Sequence, residues 1–168
     1  ARRPDIWLSI STTTRSPRPG EVDGVAYHFV TRAEFERTVA QGGFMEWAEY
    51  AGNLYGTAVA PVAARLDAGD VVVLEIDLEG ARQVRRSHPD ALFVFLAPPS
   101  LDELRRRLSQ RGTESAEVVA QRLDRAEHEL AAQDEFDHVV TNAEVSATAD
   151  VLLQLVGVEP SDGSPTGR

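Results

Sequence analysis

The sequence predicts an α/β domain with a mainly parallel sheet, and three observations carry that expectation. Short apolar, β-branched runs alternate with capped helical segments through most of the chain. One run, Val71-Val72-Val73-Leu74-Glu75-Ile76-Asp77, stays largely apolar until it ends in acid, the pattern of a parallel strand covered on both faces. Between about Arg18 and Gly56 the alternation gives way to aromatic, β-rich sequence, which reads as an insertion.

The elements follow in order. Ile6 to Ser11 and Val25 to Val30 are expected strands. Thr31-Arg32-Ala33-Glu34 has the form of a capping box and opens a helix with Phe35 and Val39 inward, stopping at Gly42-Gly43. Phe44 to Tyr50 is a strand carrying Glu46 and Glu49. Thr57 is expected to cap a second helix, with Pro61 in its first turn and Gly69 at its end. After the Val71 strand come a helix over about Leu78 to Arg86, a strand Leu92 to Leu96, and a helix opened by Ser100-Leu101-Asp102-Glu103. A long helix ending near Gln133 sets Val119, Leu123, Ala126 and Leu130 on one face. Strand His138 to Thr141 and a helix near Ser146 to Val156 complete the order, and residues 157–168 read as a disordered tail.

Composition narrows the function classes. A chain of 168 residues, 42% hydrophobic, can bury one ordinary core. No apolar run approaches the ~18 residues that cross a bilayer, and no signal peptide is visible, so a cytoplasmic protein is expected. The absence of cysteine excludes disulfides and thiolate metal sites. A net charge of -10 argues against a surface that coats nucleic acid, so an anionic ligand has to be gripped locally. All 17 basic residues are arginine, which removes Schiff-base lysines and the lysine of a phosphate-binding loop. Neither Gly-x-x-x-x-Gly-Lys-[Ser/Thr] nor Gly-x-Gly-x-x-Gly occurs. His28, His88, His128 and His138 form no recognisable cluster and read as structural.

One stretch offers such a grip. Ser11 to Gly20, followed by Glu21, holds Arg15 and Arg18 directly after a strand. A guanidinium fork matches phosphate oxygens, and Pro17 and Pro19 fix φ on either side of Arg18, so little freedom remains to be lost when an anion docks. By itself the stretch also reads as a solvated Arg-Pro loop.

Six motifs taken together are more specific. Ser11 to Glu21 with Tyr27, Phe44-Met45-Glu46-Trp47-Ala48-Glu49, Tyr55-Gly56-Thr57, Glu75-Ile76-Asp77-Leu78-Glu79-Gly80, Ala97-Pro98-Pro99-Ser100 and Arg111-Gly112-Thr113-Glu114 stand in an order and spacing that resembles the bacterial guanylate kinases, over about Ile6 to Val156. The resemblance implies a nucleoside monophosphate kinase-like core (residues 1–17 and 58–156), a GMP-binding insertion (18–57) and a mobile helical lid (about 107–122). It implies magnesium-dependent phosphoryl transfer from ATP to GMP, giving ADP and GDP, with no nucleic-acid or membrane partner; oligomeric state is not legible.

Residue by residue, the resemblance makes Arg15 and Arg18 the grip on the GMP phosphate, completed by the hydroxyls of Tyr27 and Tyr55. It gives Glu46 the adjacent N–H and amino groups of guanine, with Ser11, Thr57 and Asp77 reading the rest of the base edge. Adenine lacks that donor pair, so binding it would leave Glu46 desolvated at a cost of roughly 1 to 3 kcal/mol or more. Arg107, Arg111 and Arg122 match lid arginines that close over the donor phosphates, and Asn142 matches a position near the adenine. Glu75 and Asp77 would assist magnesium through water. Arg105 and Arg106 read instead as a solvated face paired with Asp102, Glu103 and Glu114.

The resemblance starts after the central strand, glycine-rich phosphate loop with its lysine, and first helix with which family members begin, on the order of 30 residues. With that P-loop unit absent, the expectation is a chain that binds GMP and transfers phosphoryl groups weakly or not at all. Three readings stay open: a guanylate kinase with a truncated or misassigned start, a non-catalytic module of that kind binding GMP or a phosphorylated protein, and a related kinase for another small phosphate ester. Glu46, Thr57 and Asp77 together weigh against the last, and the lid arginines against the second.

Overall fold

The computed structural model describes residues 6–110 and 116–157, as backbone alone over 107–110 and 116–122. The chain divides into two compact units, Ala1–Ala91 and Leu92–Arg168.

In the first unit β1 (Ile6–Leu8) runs parallel to β6 (Val71–Val73), with Ile6 opposite Val71. A second, mixed sheet is built from β2 (Thr12–Thr13), β3 (His28–Phe29), β4 (Phe44–Tyr50) and β5 (Asn53–Ala58), in the order β3-β2-β5-β4. Helix α1 (Arg32–Ala40) starts on the capping box expected of it: the Thr31 hydroxyl accepts from the Glu34 N–H, and the Glu34 carboxylate accepts from the Thr31 N–H at 2.8 Å. Its Phe35 is fully buried and stacks on Phe44 with ring centroids 4.3 Å apart, which docks the helix on the sheet. Gly42, at φ +65°, then turns the chain so that the Gly43 N–H returns to the Thr38 carbonyl. Helix α2 (Val59–Asp67) precedes β6, and α3 (Leu78–Ser87) follows it. Asp77 caps α3 by accepting from the Gly80 N–H at 2.8 Å, and the helix buries Leu78, Ala81 and Val84.

β4 is an edge strand, and its outward ladder groups at Trp47 are taken by a side chain. The Trp47 N–H donates to Gln83 Oε1 at 3.1 Å, and Gln83 Nε2 donates to the Trp47 carbonyl at 2.8 Å. The Gln83 amide thus satisfies the edge as a further strand would.

In the second unit β7 (Val94–Ala97) runs parallel to β8 (His138–Thr141), with Val94 opposite His138. Helices α4 (Leu101–Gln110) and α5 (Ala116–Ala131) lie between these strands in sequence, followed by a 3-10 turn at Gln133–Glu135; α6 (Val145–Leu155) follows β8. Ser100 Oγ accepts from the Glu103 N–H at 3.1 Å, the cap its sequence suggested. Leu123, Ala126 and Leu130 are half-buried on one side of α5, while the Val119 side chain lies outside the described residues. Glu144 caps α6 by accepting from the N–H groups of Ser146 and Ala147.

Several expectations change. Among the described residues parallel pairing is present as one two-stranded sheet in each unit and as the β2–β3 pair, and the largest sheet is mixed. Alternating elements tell which strands are joined through helices, not which share a ladder. Ile6 to Ser11 is not one strand: it breaks after Leu8, β1 pairing with β6 and β2 with β3 and β5. Of Val25 to Val30 only His28–Phe29 is strand, because Val25 and Ala26 both turn their N–H groups back to the Val22 carbonyl. Thr57 caps no helix. It lies inside β5 opposite Glu46, and α2 begins at Val59 with no side-chain cap on Ala58. The strand was hidden by Gly56, a residue that weakens strand propensity but is required here: a Cβ would stand 2.9 Å from the Glu46 carbonyl oxygen and 3.0 Å from Trp47 Cβ. Among the described residues no helix is long and apolar enough to cross a membrane.

Candidate functional site

The register of the mixed sheet gathers the polar residues. Tyr55 and Thr57, two apart on β5, project to one face, with Thr13 opposite Tyr55 and Glu46 opposite Thr57. Ser11 precedes Thr12, whose partner is Gly56, and so comes level with Thr57. Four of the residues expected to bind GMP are thus assembled by strand pairing alone.

At one end stands Glu46, 6% exposed, beside Thr57, 1% exposed, whose Oγ1 has no hydrogen-bond partner among the described residues. Glycine at position 80 lets the carboxylate approach the first turn of α3: a Cβ there would lie 2.9 Å from Glu46 Oε2 and 3.3 Å from Asp77 Oδ1. Burial pushes the Glu46 carboxyl above its ordinary value, the adjacent Thr57 draws it back, and the Asp77 charge raises it again. The unpaired buried Thr57 hydroxyl is left short of about 1 to 3 kcal/mol of hydrogen bonding, and the desolvated carboxylate beside it, when ionised, can only accept. They favour a ligand edge rich in donors.

At the other end the Arg15 N–H donates to Thr13 Oγ1 at 3.1 Å, and Thr13, fully buried, donates to the Leu54 carbonyl at 3.0 Å. The Arg15 fork grips Glu21 through both carboxylate oxygens at 2.9 and 3.0 Å, and a further N–H reaches the Ser16 carbonyl. Its guanidinium lies 5.3 Å from the centroid of Tyr27 and 5.8 Å from that of Phe29, and Tyr27 meets Tyr55 edge-on at 6.0 Å. The hydrogen bond to Glu21 raises Arg15 above its ordinary pKa against the opposing effect of burial, with Tyr55 adding to the rise. Glu21 is lowered in turn, by Arg15 first and then by the Arg18 N–H, which donates to it at 2.7 Å.

The two arginines differ in their surroundings. Arg15 already holds an internal carboxylate, while Arg18 is exposed with its guanidinium in no ion pair among the described residues. Sequence reasoning missed Glu21 as the partner, and Thr13 as the anchor of Arg15. The opposite charges across Pro17 and Pro19 were a readable signal for the first; nothing in a run of three threonines distinguishes the second.

Tyr27 and Tyr55 therefore lie at Arg15, and Thr57 and Asp77 at Glu46, with Ser11 level with Thr57 on the far side of β5. Asn142, in the second unit, directly follows β8; its N–H donates to the Ala97 carbonyl at 2.7 Å, and its Oδ1 accepts from Thr148 at 3.5 Å. Arg111 lies outside the described residues, as do the side chains of Arg107 and Arg122. Arg105 pairs with Asp102 at 3.6 Å and Arg106 with Glu103 at 2.7 Å, the solvated face expected of them, while Glu114 lies outside the described residues. Among the described residues no group of three or more histidines or carboxylates stands together as metal ligands.

An α/β fold that sets a buried carboxylate and an aromatic-backed arginine in one unit defines a class of protein suited to a polar, anionic ligand. The comparisons with known proteins make the class specific. The family model described as Guanylate kinase matches residues 3–157. A guanylate kinase of Thermobifida fusca is 60% identical over 155 residues, covering 92% of this chain and 79% of that protein. One of Streptomyces coelicolor is 56% identical over the same shares of the two chains. The crystal structure of guanylate kinase from Anaplasma phagocytophilum matches at a TM-score of 0.78 and 33% identity, covering 91% of this chain and 75% of that one. This chain is a member of the guanylate kinase family.

Proposed function

We propose that the chain transfers a phosphoryl group from ATP to GMP, giving ADP and GDP. The observation that carries the reading is the pairing of Glu46, nearly buried, with the unpartnered Thr57 hydroxyl, on the same sheet face that carries Tyr55 toward Arg15. Glu46 accepts from the adjacent N–H and amino groups of guanine, and Ser11, Thr57 and Asp77 complete the base edge. Arg15, Arg18, Tyr27 and Tyr55 hold the phosphate, the tyrosines adding donors without charge so that the product still leaves. Residues 18–57 form the acceptor subdomain of a core made by 1–17 and 58–156.

Phosphoryl transfer requires neutralisation of spread negative charge rather than a protein nucleophile. In this reading Arg107, Arg111 and Arg122 are the residues assigned to that neutralisation, and Asn142 is the residue assigned to the adenine. Magnesium enters as part of MgATP. That ion keeps much of its water and needs one or two carboxylates besides the phosphates, which suits Glu75 and Asp77 better than a dedicated cage.

Calorimetric titration with GMP and AMP tests the reading. GMP is expected to bind at least tenfold more tightly, by the cost of leaving Glu46 unpaired. Arg15→Ala should remove most of the affinity for GMP while leaving that for guanosine unchanged. Equal affinity for AMP and GMP, or an unchanged GMP affinity in Arg15→Ala, would refute it.

A further inference from the structure

Gln83 does more than close a sheet edge. It lies on α3 one turn after Gly80, so the two share a helix face, and that face meets β4. The residue it holds, Trp47, directly follows Glu46. A two-point amide bridge, 3.1 and 2.8 Å long, therefore fixes the strand that carries Glu46 to the helix that carries Gly80 and the Asp77 cap. The bridge opposes a repulsion: Glu46 and Asp77 are two carboxylates close enough for each charge to be felt, in a site where burial strengthens it. Without the bridge, the strand edge is free to move away from α3, and the Glu46 carboxylate with it.

We infer that Gln83 is a positioning residue for base selectivity, holding the Glu46 carboxylate where it accepts from both guanine donors at once. The inference rests on the GMP reading above and deepens it. Bidentate acceptance is demanding in geometry, whereas a single hydrogen bond tolerates displacement. Loss of the bridge therefore penalises a base that offers two donors more than a base that offers one.

The test compares GMP with IMP, whose base lacks only the exocyclic amino group. Gln83→Met keeps the length and most of the packing of the side chain and removes both hydrogen bonds. In titrations of the full 168-residue chain, Gln83→Met is expected to weaken GMP about tenfold and IMP about twofold or less, moving their affinity ratio toward one. Gln83→Glu, which accepts from the Trp47 N–H but cannot donate to its carbonyl when ionised, should move the GMP to IMP affinity ratio toward one at pH 8. Hydrogen exchange at the Trp47 amide should quicken in Gln83→Met. Equal weakening of GMP and IMP would mean a merely structural role and overturns the inference, as does a variant with unchanged affinities. If Gln83→Met fails to fold, the decision falls to Gln83→Glu, and a GMP to IMP ratio in that variant equal to the parent's at pH 8 overturns the inference. Failure of the underlying reading shows elsewhere, as equal binding of GMP and IMP by the unsubstituted chain.

Discussion

Replacing Glu46 by glutamine should move stability and affinity in opposite directions. Glutamine keeps the shape and removes a buried charge that stands beside Asp77. A carboxyl whose folded pKa is raised binds protons in the native state that the unfolded chain has released, so stability falls as pH rises from the ordinary carboxylate value through the raised one and stays lower above it. Glu46→Gln escapes that loss. The variant should melt higher at pH 8, each kcal/mol gained being worth about 2 to 4 °C in a chain of this size, and the advantage should vanish below pH 4. Binding behaves otherwise. A carboxylate accepts two charge-assisted bonds from guanine, each worth about 1.5 to 3 kcal/mol; the amide accepts one, without charge, and turns a donor against the other guanine donor. The expected loss is about 3 kcal/mol, roughly a hundredfold in GMP affinity. Differential scanning calorimetry at pH 4 and 8, with GMP titration at pH 8, reads both effects. A variant that binds GMP as well as the parent, or that melts lower at pH 8 without ligand, would refute the argument.

Two further predictions concern the frame. Phe35→Ala removes a fully buried ring stacked on Phe44, and urea unfolding should show a loss of about 3 to 5 kcal/mol, with a smaller value if α1 collapses onto the gap. The α6 cap makes a statement about acid. Bonds from the Ser146 hydroxyl and the Ala147 and Ser146 N–H groups hold the Glu144 carboxyl down to about 2. A lowered folded pKa gives stability that is present above the unfolded value and lost as pH falls through the folded one. Glu144→Ala should therefore melt lower than the parent at pH 7, and the gap should narrow between about pH 4.5 and 2; a gap that is constant with pH would show that the charge is not what caps the helix.

Local chemistry was legible wherever one segment suffices. Thr31 with Glu34, Gly42-Gly43, the strand Phe44–Tyr50 and the strand His138–Thr141 follow from capping, turn and periodicity rules acting within a few residues. The six motifs also sufficed for the family, because their order and spacing are properties of the chain. What the sequence could not decide was pairing. Thr57 reads locally as a helix cap, and only the ladder with β4 places it opposite Glu46. Arg15 reads as an open cation, and only the turn of the loop delivers Glu21 to its fork. The Gln83 bridge joins residues 36 apart in sequence, and no local pattern announces it. The physical reason is common to these cases. Propensity and capping are energies of neighbouring residues, whereas burial, ion pairing and ladder register arise from segments that meet only in the folded chain, and those terms set the charge and geometry of the site.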